Sequence, residues 1–131
     1  MLLSTIIASI IVVIAPFWAI VWTFKCWDIA GSYNLDTKVV FVCDWIQDSE
    51  FYKYHEIGHY FYYEILTTKQ KEAYHNAYEQ ALIKWPRAFY REYSMRNEQE
   101  DFADMFSLYI LKKNYNPLIQ KRIRLINSFF K

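Results

Sequence analysis

His55, Glu56 and His59 stand in the spacing H-E-x-x-H within "YKYHEIGHYF", residues 54–63. On a helix, residues four apart share a face, so both imidazoles can point a nitrogen at one ion. Glu56 follows His55 directly and can reach a water held by that ion. Zinc lowers the pKa of such a water toward about 7, and a carboxylate that takes its proton readies it to attack a carbonyl. The chemistry calls for two neutral ligands that keep the ion electrophilic, and for a base that is not itself a ligand. The rival reading is a chance pattern on an amphipathic helix. Against it, two of the chain's three histidines fall in the motif, and Gly58 inside it is a poor helix former.

Zinc needs a third protein ligand, and "YREYSMRNEQEDFADMFSLYI", residues 90–110, offers candidates. Glu100 and Asp104 are four apart and share a helix face, while Phe102, Phe106 and Tyr109 take a neighbouring face suited to the core. A carboxylate pair at the edge of the core is where a packed helix would present it to the histidines. Glu98 and Asp101 are rivals, but neither has a carboxylate four residues later on its own face.

H-E-x-x-H followed by E-x-F-A-[DE]-x-F resembles the gluzincin metallopeptidases, in particular small ones similar to minigluzincins and the catalytic domain of anthrax lethal factor. The resemblance spans roughly residues 30 to 130, and its specific part is confined to 55–59 and 93–110. It implies that Glu100 is the third ligand to Zn2+ and that Asp104 supports a zinc-bound histidine from behind. It also implies that Tyr93 stabilises the oxyanion and that the substrate is a peptide or protein. In a chain with 12 tyrosines, Tyr93 as an aromatic packed in a loop is the competing reading. The remaining histidine, His75, lies with Lys71 and Glu79 on a polar helix face and reads as a surface residue.

The expected architecture is mainly α with a little β: a small zincin-like domain with a short hairpin or edge strand before the active-site helix. Only 2 Gly and 3 Pro argue against a turn-rich all-β protein and against disorder, and 21% aromatic residues suit helices packed through rings. The apolar run "KVVFVC", 38–43, reads as a strand, and as the edge on which an extended peptide docks. Asp44–Gln47 has the form of a capping box, and Asp48 or Ser49 could cap the histidine helix, which runs to about Leu66. Thr67 and Gln70 open a second helix that ends near Lys84, because Trp85 precedes Pro86. A loop over 86–96 leads to a helix from Asn97 or Glu98 that ends by Asn114. Asn116-Pro117 starts the last helix, with Ile119, Ile123, Ile126 and Phe130 on one face.

Met1 through Phe24 carries no charged side chain, long enough to cross a bilayer, with aromatic residues gathered toward its end. Residues 1–27 are therefore expected to form a single-pass transmembrane helix, and 28–131 the metallopeptidase domain. A cleaved signal peptide and a buried core helix compete with the anchor. The side of the membrane is open. A formal charge of +1 gives no pull toward nucleic acid. Cys26 and Cys43 read as free buried thiols, with a local disulfide as the alternative. From 111 to 131 every charge is positive, which reads as a solvated helix face, with contact to anionic lipid as the sharper option. The function that follows is a membrane-anchored zinc metallopeptidase. The alternatives are a non-catalytic membrane interaction protein with a structural or vestigial zinc, and a latent enzyme whose cleft the N-terminal segment blocks.

Overall fold

The computed structural model describes residues 31–43 and 48–131, and the backbone alone at Ile11–Val12 (β1) and Ile20–Thr23 (β2). Where the transmembrane helix expected over 1–27 is described, at Ile11–Val12 and Ile20–Thr23, the backbone is strand rather than helix; the rest of that segment, Cys26 and the Asp44–Gln47 capping box lie outside the described residues. Among the described residues, no helix is long and apolar enough to cross a membrane.

Gly31–Asn34 (β3) and Val39–Val42 (β4) form an antiparallel hairpin in which Gly31 faces Val42 and Asn34 faces Val39. Asn34 closes the turn, its Oδ1 accepting from the amides of Asp36 and Thr37 at 3.0 and 2.9 Å, a local bond typical of Asn in turns. Val40 and Val42 point inward and are fully buried, as alternation requires of a half-buried strand. The backbone of β2 runs parallel to β4 on its other side, so the sheet order is β1-β2-β4-β3. The strand expected at 38–43 is thus interior, and the sheet edge beside the histidine helix is β3. Cys43, at the end of β4, is buried and disulfide-bonded, which corrects the free-thiol expectation for it.

The histidine helix is Ser49–Tyr60 (α1). Asp48 occupies its N-cap but lies at φ 65° with no side-chain cap bond, so the expected cap does not form. Instead of continuing regularly to Leu66, the helix widens into a π-turn over Phe61–Ile65, with the Leu66 amide donating to the Phe61 carbonyl at 3.0 Å. Thr68–Ile83 (α2) opens on the expected Thr67–Gln70 capping box and stops before Lys84. Glu98–Ile110 (α3) starts where Asn97 caps the Glu100 amide, and Pro117–Phe129 (α4) starts at Asn116.

α3 is the central helix and packs against α1, α2 and α4. Its Phe102, Met105, Phe106 and Leu108 are buried with Tyr62, Tyr74, Tyr78, Phe89, Ile119, Ile123 and Ile126. Each such side chain contributes about 1.5–3 kcal/mol of transfer free energy. Phe130 lies just past the end of α4 and is partly exposed, but its ring still packs 5.3 Å from that of Phe61 and 6.1 Å from that of Phe106, on the expected face. Gly58 explains the closeness of α1 to α3. A Cβ there would stand 2.8 Å from Ala103 Cα, a distance that real side chains do not tolerate.

Candidate metal centre

α1 presents His55 and His59 from successive turns toward α3, where Glu100 sits in the first turn. The three donor atoms converge. His55 Nε2 lies 3.1 Å from His59 Nε2, and Glu100 Oε2 lies 3.1 Å from the first and 3.3 Å from the second. Three ligands at bond lengths of about 2.0–2.1 Å in a tetrahedron must be about 3.3 Å apart. The separations meet that requirement, and the three residues form a group that could hold a metal ion. Glu100 Oε2 is buried without any hydrogen bond of acceptable geometry, despite two nitrogens within 3.3 Å. Lone pairs aimed at a shared point, rather than at each other's protons, produce this pattern.

Behind His55 stands Asp104, fully buried, with Oδ1 2.7 Å from His55 Nδ1. That bond places the proton on Nδ1 and leaves the Nε2 lone pair for an ion. Asp104 also accepts from Arg91, Nε to Oδ2 at 2.8 Å and Nη2 to Oδ1 at 2.6 Å, and from the Ser94 hydroxyl. Both oxygens of a carboxylate with no solvent contact are thereby satisfied. Arg91 and Ser94 had no signal in the sequence beyond lying in an aperiodic loop.

Glu56 is buried beside the group, and Gly31 of the edge strand makes room for it. A Cβ on Gly31 would lie 2.7 Å from Glu56 Cγ and 3.1 Å from its Oε1. Burial pushes the Glu56 carboxyl up, while His55 and His59 pull it down; the net direction is upward. For His55 burial disfavours the charged form, but Asp104 and Glu100 outweigh it and raise its pKa to about 9. For Glu100 burial acts upward, and the two histidines more than offset it, holding it well below the usual range.

Tyr93 sits on a 3₁₀ turn, Glu92–Met95, at the mouth of the site and is 36% exposed. Its ring centroid is 6.2 Å from that of His55, and the guanidinium carbons of Arg96 and Arg91 lie 4.3 and 5.0 Å from the ring centre. Burial raises the Tyr93 hydroxyl pKa, and the charge of Glu100 adds to it. On the opposite side Tyr63, from the π-turn, stacks near His59 and against Tyr33 of β3.

The rival carboxylates are committed elsewhere. Asp101 is fully buried with Arg122, whose Nη2 donates to Oδ1 at 2.9 Å, and takes the Tyr74 hydroxyl on Oδ2 at 2.7 Å. Glu98 accepts from Tyr62 and lies 2.6 Å from His75 Nδ1. His75 is on the surface as expected, although paired with Glu98 rather than free. Comparison with protein-family models, with characterised proteins and with solved structures yields no match for this chain.

Proposed function

We propose that the chain is a zinc-dependent metallopeptidase. The reading rests above all on the mutual spacing of the His55, His59 and Glu100 donor atoms, with Asp104 orienting His55. Two imidazoles and one carboxylate suit zinc, and three protein ligands leave the open position typical of catalytic sites. Zinc bound there supplies Lewis acidity and brings the pKa of water toward about 7.

The chain's own residues then divide the work. Glu56, whose carboxyl burial pushes up, accepts a proton from water and later delivers it to the departing amine. Tyr93 keeps its hydroxyl proton and donates a hydrogen bond to the oxyanion that develops on the carbonyl. Edge strand β3, running past Glu56, offers unpaired backbone groups to an extended peptide. Arg91 and Ser94 hold Asp104, and through it the His55 ring, in place.

The decisive comparison is native protein against Glu56→Gln, both zinc-loaded, on a broad peptide library. Retained zinc with cleavage reduced at least about 10²-fold is expected for loss of the general base. Full cleavage by the variant would sink the assigned mechanism. No cleavage by either form would favour a non-catalytic protein with a structural zinc. If removing residues 1–27 raised activity per zinc, the N-terminal segment would be an inhibitor.

A further inference from the structure

The last turn of α2 runs into an exposed tip, Ile83-Lys84-Trp85-Pro86-Arg87, in which all five residues are solvent-facing. Ile83 is 84% exposed and Trp85 58%, far more than the core aromatics. Single exposed apolar side chains are ordinary on a protein surface, so what distinguishes this tip is that its two sit among cations. Their neighbours are cations. Lys84 and Arg87 alternate with them in the tip, and Lys121 of α4 lies alongside, its Nζ donating to Gln80 Oε1 at 2.8 Å. Arg87 is held to α4 by its carbonyl, which accepts from Asn116 at 3.0 Å. Against these three cations, Glu92 is the acid that shares a groove with Trp85.

We infer that this tip docks on an anionic lipid surface, with Ile83 and Trp85 in the interfacial layer and Lys84, Arg87 and Lys121 among the headgroups. The tip is a five-residue turn, too small for the roughly 800 Å² that each side of a stable protein interface buries. A bilayer needs no complementary shape. It accepts a few apolar side chains at the headgroup level, favours Trp there, and adds electrostatic attraction for flanking Lys and Arg. Trp85 shares its groove with Phe89, Arg91 and Met95, so a docked tip would hold the loop carrying Arg91 and Tyr93 close to the membrane. The inference rests on the tip alone and does not require the N-terminal anchor.

The test uses the full chain reconstituted in vesicles whose acyl chains carry bromine near the headgroup. The fluorescence of Trp85 is isolated as the difference between native protein and Trp85→Phe, with circular dichroism confirming the same fold. In phosphatidylglycerol-containing vesicles that component should be quenched by the brominated lipid. In phosphatidylcholine alone it should be largely recovered. Lys84→Gln with Arg87→Gln should shift the docked-to-free ratio about twenty-five-fold toward free, at about fivefold per cation. Ile83→Ser should also release the tip. A Trp85 component equally unquenched in both lipids would overturn the inference. So would shielding from aqueous acrylamide without lipid quenching, which would mark a protein as the occupant.

Discussion

Asp104 accepts from His55 at 2.7 Å and is itself gripped by Arg91 and Ser94, so its effect on the site is separable from that of the ligands. Asp104→Asn should weaken zinc binding about 10–100-fold, the usual cost of losing a carboxylate behind a metal-bound histidine. Competition with a chromophoric chelator measures this directly, and unchanged affinity would count against the orienting role. Arg91→Lys keeps the charge but loses the two-pronged contact, so it should weaken zinc in the same direction. At the protein surface, Glu98 hydrogen-bonds His75 and raises its pKa above 6.5. A raised histidine pKa means the pair stabilises the fold fully below about pH 6.5 and stops doing so as the pH rises through the shifted value. An NMR titration should show His75 above its ordinary value, and Glu98→Gln should return it there.

At the scale of elements, the approach of α1 to α3 sets the distance between the histidines and Glu100. Gly58 permits that approach, so Gly58→Ala must push Ala103 and Phe106 aside. Overpacking of this kind costs about 1–3 kcal/mol, and here it should also lower zinc affinity. Denaturant unfolding and chelator competition on one variant check both halves. The choice of Glu100 as the third ligand came from the resemblance to the gluzincin motif, while helical spacing made the shared faces of His55 with His59 and of Glu100 with Asp104 legible in the sequence. Helix starts at Thr67, Asn97 and Asn116 were legible for the same local reason, since their caps are made within four residues. The sheet edge was not. Whether β4 or β3 lies outside depends on β2 pairing with β4, a long-range choice that the apolar run at 38–43 does not encode. Arg91 and Ser94 were likewise hidden, because a loop without periodicity gives no face to read. The π-turn after Tyr60 escaped for a different reason: one extra residue in the widened turn leaves the composition unchanged.

For the molecule as a whole, α3 joins the metal centre to the core. Glu100 and Asp104 face the histidines, while Asp101 between them turns to Tyr74 and Arg122 on α2 and α4. Arg122 is almost fully buried and also donates to the Ala88 carbonyl at 2.6 Å. Arg122→Ala would leave Asp101 buried and uncompensated, which typically costs about 3–5 kcal/mol. Thermal or denaturant unfolding should show that loss, whereas a change within about 0.5 kcal/mol would mean that water or a neighbour replaces the guanidinium.

The central claim is that His55, His59 and Glu100 bind one zinc ion, and its most direct test is the zinc content of the purified chain beside Glu100→Gln. The expected result is one zinc per native chain and much weaker binding in the variant, with both forms folded. A folded native protein that binds no zinc, or a Glu100→Gln form that binds it equally well, would contradict the account.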